Sequence, residues 1–535
     1  MTAEIELKLV IDPAAVASTA AAVPRHPAVV AITRGRSRKT RLVSTYHDTP
    51  DGRLARAGIA LRVRQDGEHW RQTVKGPPLA GAGGALHARR EYEWPLPGPR
   101  LDARLLATTP WKQRLARAAA SGKLGPRFTT DFERRTLQLV FPDGTRAELC
   151  IDVGEVRASR RAPGQRRAGT ARAPIAEIEI ELKTGHPERL FELARALAGS
   201  LPLAVGTANK AARGHALAHG EPDGWRRPVR ARVVALAPEA PVAPALAALA
   251  VECLDQVAAN APGLVHDDDP EWVHQMRVGT RRLRSCLALG RDRFPAATLQ
   301  RLRAELKWLA GALGAARDWD VFATETIPAA AAELDAHRAS TSDLARLRAR
   351  VGANRRAARA DARAAVRSPR FAQLLLAAGA LCAAASPPAV PAAGVPGGET
   401  GELPVAAFAQ GLLHRRHRRL LREAKVALHG DALQRHALRI AAKKLRYAAE
   451  FFAPLFERER ARAYASALAG VQEILGHAND AATAAGLIGE LAPAGDSPAT
   501  AALRDAAAAA TSAIDRDLAG AWESFSRARR FWRTR

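Results

Sequence analysis

The chain has 535 residues, more than one hydrophobic core serves, so several domains are expected. Its 47% apolar content excludes a disordered polyelectrolyte, and its net charge of +27 points to polyanionic partners: nucleic acid, anionic lipid or polyphosphate. The excess is +15 over residues 1–220 and +12 over 221–535, so it is not confined to a tail.

The first patterned segment is Glu4-Ile5-Glu6-Leu7-Lys8, a strict alternation of charge and branched aliphatic. In a strand this puts Glu4, Glu6 and Lys8 on one face and Ile5 and Leu7 on the other. Further alternating segments are predicted at 4–10, 59–64, 70–75, 89–94, 134–141, 146–152 and 175–183. Several carry one face of mixed charge. Arg62 and Arg64 share a face, Lys75 ends its segment, and Arg89, Glu91 and Glu93 share parity, as do Glu148 and Asp152. Residues 177–183 repeat the opening pattern, aligning Glu177, Glu179, Glu181 and Lys183. Turn signals separate the segments at 50–52, 66–67, 76–78 and 142–144, and Gly76, Gly144 and Gly154 are read as turn residues. Helices are predicted around 100–120 and 187–199. Many short strands with two patterned faces predict an antiparallel closed barrel. Its charged interior suits divalent metal and a polyphosphorylated anion: hard cations take carboxylate oxygens, and arginine and lysine take phosphate.

Residues 216–240 read as a linker, and from 241 to 525 the chain becomes helical, rich in Ala, Leu and Arg. A Pro/Gly stretch at 386–404 splits this region into halves of about 241–385 and 405–525. The halves repeat. His274, Arg277, Arg281 and Arg284 recur as His436, Arg439, Lys443 and Arg446, and Leu313-Gly314 with Asp318 recur as Leu475-Gly476 with Asp480, all at an offset of 162. At helical spacing each set forms a basic ridge beside an apolar stripe, which in the first copy is Val273, Met276, Leu283 and Leu287. A third basic cluster begins at His414 and Arg415. The ridges carry no interleaved aromatics, which disfavours nucleic acid.

Cys150, Cys253, Cys286 and Cys382 are far apart, without a CxxC pair or zinc spacing, which suits a reducing compartment. No apolar stretch precedes the motif at residue 4, and no long apolar run is free of charges or prolines, so neither a signal peptide nor a transmembrane helix is expected. Residence in the cytoplasm follows as an expectation.

Residues 1–215 resemble the CYTH domain of the triphosphate tunnel metalloenzymes. The resemblance rests on Glu4-x-Glu6-x-Lys8, Tyr46-His-Asp48-Thr49-Pro50, Arg62-Val-Arg64, Thr73-Val-Lys75-Gly76, Arg89-x-Glu91-x-Glu93, Asp152-Val-Gly154 and Glu177-x-Glu179-x-Glu181, in that order. It implies an eight-stranded antiparallel β tunnel with flanking helices. Lys8, Arg62, Arg64, Lys75, Arg89, Arg134 and Lys210 would hold phosphates. Glu4, Glu6, Asp152, Glu177, Glu179 and Glu181 would hold Mg²⁺ or Mn²⁺, and Glu4, Glu6 and Lys8 would be catalytic. The helical half resembles the CHAD domain. That resemblance implies two helical bundles related by a pseudo-twofold, binding polyphosphate through His274, Arg277, Arg281, Arg284, His414, Arg415, His436, Arg439, Lys443 and Arg446, and association with polyphosphate granules.

The expected function is metal-dependent hydrolysis of inorganic triphosphate, with a helical module that binds polyphosphate. Two alternatives stay open. One is other triphosphate chemistry in the same tunnel, as in adenylyl cyclases and thiamine or nucleoside triphosphatases. The other is a non-catalytic polyphosphate-binding scaffold.

Overall fold

The computed structural model describes residues 2–79, 85–160, 169–221, 227–336, 339–385, 403–428, 430–491 and 497–533. The chain forms two compact units. Unit 1 comprises Met1–Arg230, Leu254–Asp267 and Arg367–Gly397; unit 2 comprises Ala231–Cys253, Asp268–Val366 and Gly398–Arg535.

Unit 1 is built on antiparallel strands β1 (Thr2–Ile11), β2 (Thr33–Asp48), β3 (Ala60–Asp66), β4 (His69–Pro78), β5 (Leu86–Leu96), β6 (Gly125–Val140), β7 (Arg146–Arg160) and β8 (Gly169–Thr184). Their order is β5-β4-β3-β2-β6-β7-β8-β1, and a further β1–β5 pairing closes the ring. A three-residue strand, β9 (Leu203–Val205), adds to β1. The expected eight-stranded tunnel is therefore present, and closure removes its edges.

This barrel is polar inside and apolar outside. Ile5, Leu7 and Leu9 of β1 and Ile178 and Ile180 of β8 are buried on the outer face. They form one core with Leu190, Phe191, Leu193 and Leu197 of helix Glu188–Ser200, which also takes in Leu376 of helix Pro369–Ala384. The alternation seen in residues 4–8 and 177–183 is thus the signature of a wall coated with helices on one side and charged on the other.

Three local readings change. Strand β2 is missing from the predicted set because its first half, Thr33–Arg41, is a basic run with little apolar alternation; its pairing with β6 makes it a strand. Gly76-Pro77-Pro78 lies at the end of β4, at a register shift between Lys75 and Pro78, where proline is tolerated because the ladder is already interrupted. Gly154 lies inside β7, opposite Phe132, whereas Gly144 (φ 83°) is a turn residue as expected. Most of the predicted Pro/Gly stretch at 386–404 falls on 386–402, outside the described residues. Helix Lys210–His219 runs across position 215.

Unit 2 is helical. Helices beginning at Pro270 and Ala296 recur as helices beginning at Ala432 and Arg458, at the same 162-residue offset as the sequence motifs. The predicted stripe of Val273, Met276, Leu283 and Leu287 is buried. Among the described residues one helix, Val242–His266, is long and apolar enough to cross a membrane, and its most apolar window is 72% buried inside the protein, as in a core helix. All four cysteines are buried and free.

Gly154 yields a test of the barrel. A Cβ there would collide with the Asp131 carbonyl and the Phe132 backbone. Gly154→Ala is expected to destabilise unit 1 by about 1–3 kcal/mol, read as a lower thermal midpoint. Gly98→Ala, with nothing within 4 Å, is expected to leave it unchanged.

Candidate functional site: a charged tunnel

The barrel encloses a cavity of about 560 Å³ lined, among the described residues, by eleven lysine and arginine side chains and eight carboxylates. β1 and β8 are adjacent, and their register sets Glu6 opposite Glu181 and Lys8 opposite Glu179. Alternation does the rest, so Glu4, Glu6, Glu179 and Glu181 line one wall. Arg62 and Arg64 come from β3, Lys75 from β4, Arg89 from β5 and Arg134 from β6, and all line the same cavity.

One end is filled by a buried ion-pair network. Lys8 Nζ lies 2.9 Å from Glu179 and 3.3 Å from Glu177. Lys210, the first residue of helix Lys210–His219, bonds Asp152 at 2.6 Å, Glu179 at 2.9 Å and also Glu177. Arg134 grips Asp152 through two bonds of 2.8 and 2.6 Å and reaches Glu179 at 2.5 Å. Burial works against the Lys8 charge, but Glu177 and Glu179 outweigh it and hold its pKa well above the usual lysine range. Burial likewise opposes ionisation of Glu179, and Lys210, Lys8 and Arg134 overcome it, holding that carboxyl well below its usual range. Asp152, Glu177 and Glu179 lie close enough to share an ion. Asp152 and Glu177, however, are fully buried, do not line the cavity, and are already matched by Lys210, Lys8 and Arg134.

The lumen itself is less balanced. Glu4 bonds Lys75 at 2.5 Å, and Lys75 lies 3.6 Å from Glu91. Glu6 has its nearest cation, Lys8, at 3.9 Å; burial and the neighbouring Glu179 push its pKa up to about 7. Glu181 is tied to Lys183 at 2.6 Å, and Lys183 also approaches Glu148 at 3.3 Å. Arg62 lies 3.5 Å from Glu91 and donates to Tyr46 Oη at 3.5 Å. Among the described residues no carboxylate lies within 4 Å of Arg64 or Arg89. Arg64 donates only to Ser44 Oγ, at 3.0 Å, and burial together with Arg62 and Arg134 pushes its pKa down to about 10. A guanidinium pressed in this way gains from any anion that enters. Glu4, Glu6, Glu179 and Glu181 offer oxygen donors only, which suits a hard divalent cation.

All seven residues expected to hold phosphate therefore meet in one cavity, and of the six expected metal ligands four face it. Sequence reasoning missed Tyr46, Arg36, Arg38 and Asn209 as lining residues because β2 and the 210–219 helix were not predicted.

In unit 2 the two ridges converge. Arg277 bonds Asp318 at 2.7 Å and the Gly314 carbonyl at 3.2 Å, and its repeat partner Arg439 bonds Asn479 at 2.5 Å. Burial, then Arg439, Arg281 and Arg277, push the Lys443 pKa down to about 8, so like charges of both halves face one another. Arg281 is depressed by burial and by Arg277, Arg446 and Arg317. Burial and Arg317 also lower His274. Arg446 pairs with Glu450 at 2.6 Å, while Arg284 and His436 are exposed. In the third cluster His414 is half-buried and Arg415 exposed, but Arg416 bonds the Lys444 carbonyl, and His417 is buried with its Nδ1 2.8 Å from Tyr464 Oη.

Two family models match the chain: one described as a CYTH domain over residues 2–215 and one described as a CHAD domain over residues 248–489. An inorganic triphosphatase of Haemophilus influenzae is 33% identical over 221 residues, which are 41% of this chain and 55% of that protein, so the match spans about half the relative's length. A crystal structure of the CHAD domain from the plant Ricinus communis is 33% identical, covering 57% of this chain and 98% of that one, with a TM-score of 0.48. PptA from Streptomyces chartreusis is 19% identical, covering 54% and 99%, with a TM-score of 0.36.

Glu6 makes the electrostatics testable. Its folded pKa is raised from 4.5 to about 7, so the cost of ionising it in the fold is absent below pH 4.5, grows as pH rises, and is complete above pH 7. In EDTA-containing buffer Glu6→Gln is expected to raise the thermal midpoint at pH 8 by roughly 2–4 °C, with the gap closing towards pH 4.5.

Proposed function

Because the chain belongs to the CYTH–CHAD proteins, a CYTH domain followed by a CHAD domain, we propose that its tunnel hydrolyses inorganic triphosphate with Mg²⁺ or Mn²⁺ and that its helical unit binds polyphosphate. The observation that carries the first part is the charge mismatch in the lumen. Arg64 and Arg89 face the cavity without a carboxylate within 4 Å among the described residues, opposite a wall whose Glu6 has no close cation. The H. influenzae relative, an inorganic triphosphatase, supports the same reading.

The donor set fits a divalent ion: Glu4, Glu6 and Glu179, with Glu181 beside them, give oxygen ligands on one wall. Such an ion supplies charge neutralisation and a water acidified enough to act as nucleophile near neutral pH. The protein's own groups do the remainder. Arg62, Arg64, Arg89 and Lys75 bind the phosphate oxygens and hold the chain along the axis. Lys8 and Arg134 fix Glu179 in place and set a positive field where charge develops on the leaving phosphate. Asp152 and Glu177 position Lys210 and Arg134 and do not touch substrate. No side chain serves as a covalent nucleophile.

Lumen chemistry favours the inorganic substrate over adenylyl cyclase or thiamine triphosphatase chemistry. Among the described residues Tyr46 is the one aromatic side chain in the lining, and its hydroxyl accepts from Arg62, so none of them places a ring to stack a base or thiazole. Phosphate release from tripolyphosphate with Mg²⁺ or Mn²⁺ is expected to exceed release from ATP and thiamine triphosphate. The combined Glu4→Gln and Glu6→Gln variant is expected to lose at least about a hundredfold of that turnover. Retained activity in that variant, or faster turnover of an organic triphosphate, removes the reading.

Polyphosphate binding by unit 2 rests on the two ridges whose cations repel one another. Arg281→Gln with Lys443→Gln is expected to weaken polyphosphate binding about tenfold and to flatten its salt dependence, while tripolyphosphate turnover stays unchanged. Calorimetry across a salt series reads the first, phosphate release the second.

A further inference from the structure

One segment of backbone serves two members of the buried network: Gly206 covers Lys8, and Lys210 follows four residues later. Resting on the triphosphatase reading of the same cavity, we infer that His87 is a positioning residue: by donating to the Gly206 carbonyl it fixes the segment that sets Lys8 and Lys210, and through them Glu179.

The segment follows from the β1 ladder. β9 pairs Leu203 with Ile11 and Val205 with Leu9. Gly206 is next in that register and donates its N–H to the Lys8 carbonyl at 2.9 Å. It also lies on the stem of the Lys8 side chain. A Cβ at 206 would come within 2.7 Å of Lys8 Cγ and 3.1 Å of Val10 Cγ2, so glycine alone lets the backbone approach this closely. Asn209 then accepts from the Ala212 N–H at 2.8 Å and caps the helix whose first residue is Lys210. Only residues 207–209 separate Gly206 from Lys210, so a shift of the Gly206 backbone reaches both ammonium groups.

His87 sits where this segment needs a tie. β8 occupies one edge of β1 over Ile5–Val10, so β5 over Thr2–Leu7 and β9 over Leu9–Ile11 share the other edge. Lys8 falls at their junction. His87, the cross-strand partner of Glu6, places its Nε2 3.1 Å from the Gly206 carbonyl oxygen and joins β5 to the end of β9 there. A carbonyl oxygen only accepts, so Nε2 carries the proton. His87 shares strand parity with Arg89 but does not line the cavity, so it acts on substrate only through the groups it places. Lys8 and Lys210 each lie 2.9 Å from Glu179. Loosening both releases that carboxylate while Arg62, Arg64 and Arg89 stay on their own strands. The loss therefore falls on the carboxylate wall and not on phosphate binding.

The test uses the full-length protein. His87→Ala removes the donor, and His87→Gln keeps an amide N–H at the reach of Nε2. In His87→Ala, hydrogen exchange over residues 204–210 is expected to quicken about tenfold or more while helix Glu188–Ser200 keeps its protection. Mn²⁺ binding without substrate, read by calorimetry, is expected to weaken about fivefold, and kcat for tripolyphosphate with Mg²⁺ to fall about tenfold with KM within about twofold. His87→Gln is expected to bring all of these back to within about threefold of the unmodified protein. Unchanged exchange at 204–210, protection lost equally in helix Glu188–Ser200, a raised KM with kcat intact, or a glutamine variant that behaves as the alanine one overturns the assignment. If the unmodified protein releases no phosphate from tripolyphosphate, the triphosphatase reading fails, and hydrogen exchange with its rescue still decides whether His87 positions the segment.

Discussion

Lys8, at 1% exposure, is the pivot of the tunnel. An ammonium taken out of water costs several kcal/mol even after relaxation, and it persists only beside partners that return that cost. Glu177 and Glu179 do so for Lys8, Asp152 does so for Arg134 and Lys210, and each carboxylate is shared. Removing any member leaves its neighbours buried and uncompensated, a loss of about 3–5 kcal/mol, so the network holds itself rigid. What it leaves over defines the site. Cations such as Arg64 and Arg89, and the carboxylate of Glu6, lie just beyond reach of this mutual matching. Their unmet electrostatics are what the proposed anion and cation would satisfy together.

That constraint also explains why the barrel is turned inside out. A lumen crowded with charge supplies little hydrophobic core: apart from a small cluster of Leu42, Tyr46, Phe128, Phe132 and Val156, the larger apolar core of unit 1 lies outside the wall. Ile5, Leu7, Ile178 and Ile180 provide it against Leu190, Phe191 and Leu197. Each strand of the β1–β8 pair therefore carries both jobs at period two. A one-residue slip would put isoleucines in the lumen and glutamates under the helices, so register is strongly specified.

This double duty is why so much was legible in the sequence. Where both faces are constrained, as in residues 4–8 and 177–183, the alternation names the strand, its inner face and its charge. The same holds for Arg62 and Arg64, and for the repeated ridge with its buried stripe at Val273 and Met276. Legibility failed where only one face is constrained. β2 begins as an exposed basic run whose outer residues pair with Asp131 and Glu133, and no periodic apolar signal marks it as a strand. Gly154 looks like a turn residue because a sequence cannot show that Phe132 packs against its missing side chain. The distinction between Asp152 and Glu6 was equally hidden. Both are carboxylates on inner faces, and only the position of Lys210, at the tip of an unpredicted helix, pairs one closely with a cation and leaves the other with its nearest cation at 3.9 Å.

The helical unit meets the same electrostatic problem with the opposite solution. Arg277 and Arg439 are anchored by Asp318 and Asn479, but around them Arg281 and Lys443 face like charges, and burial adds to the strain on both. A fold keeps such repulsion only where water screens it or where a ligand offsets it. Here duplication brings two copies of one ridge together, so the repulsion is a consequence of the repeat and not of a single misplaced residue. In the function proposed above, a tunnel with its own counter-charges would select for an anion that accepts fixed partners and a metal ion. In the same proposal, facing ridges with few counter-charges would select for negative charge density alone, indifferent to chain length and strongly dependent on salt.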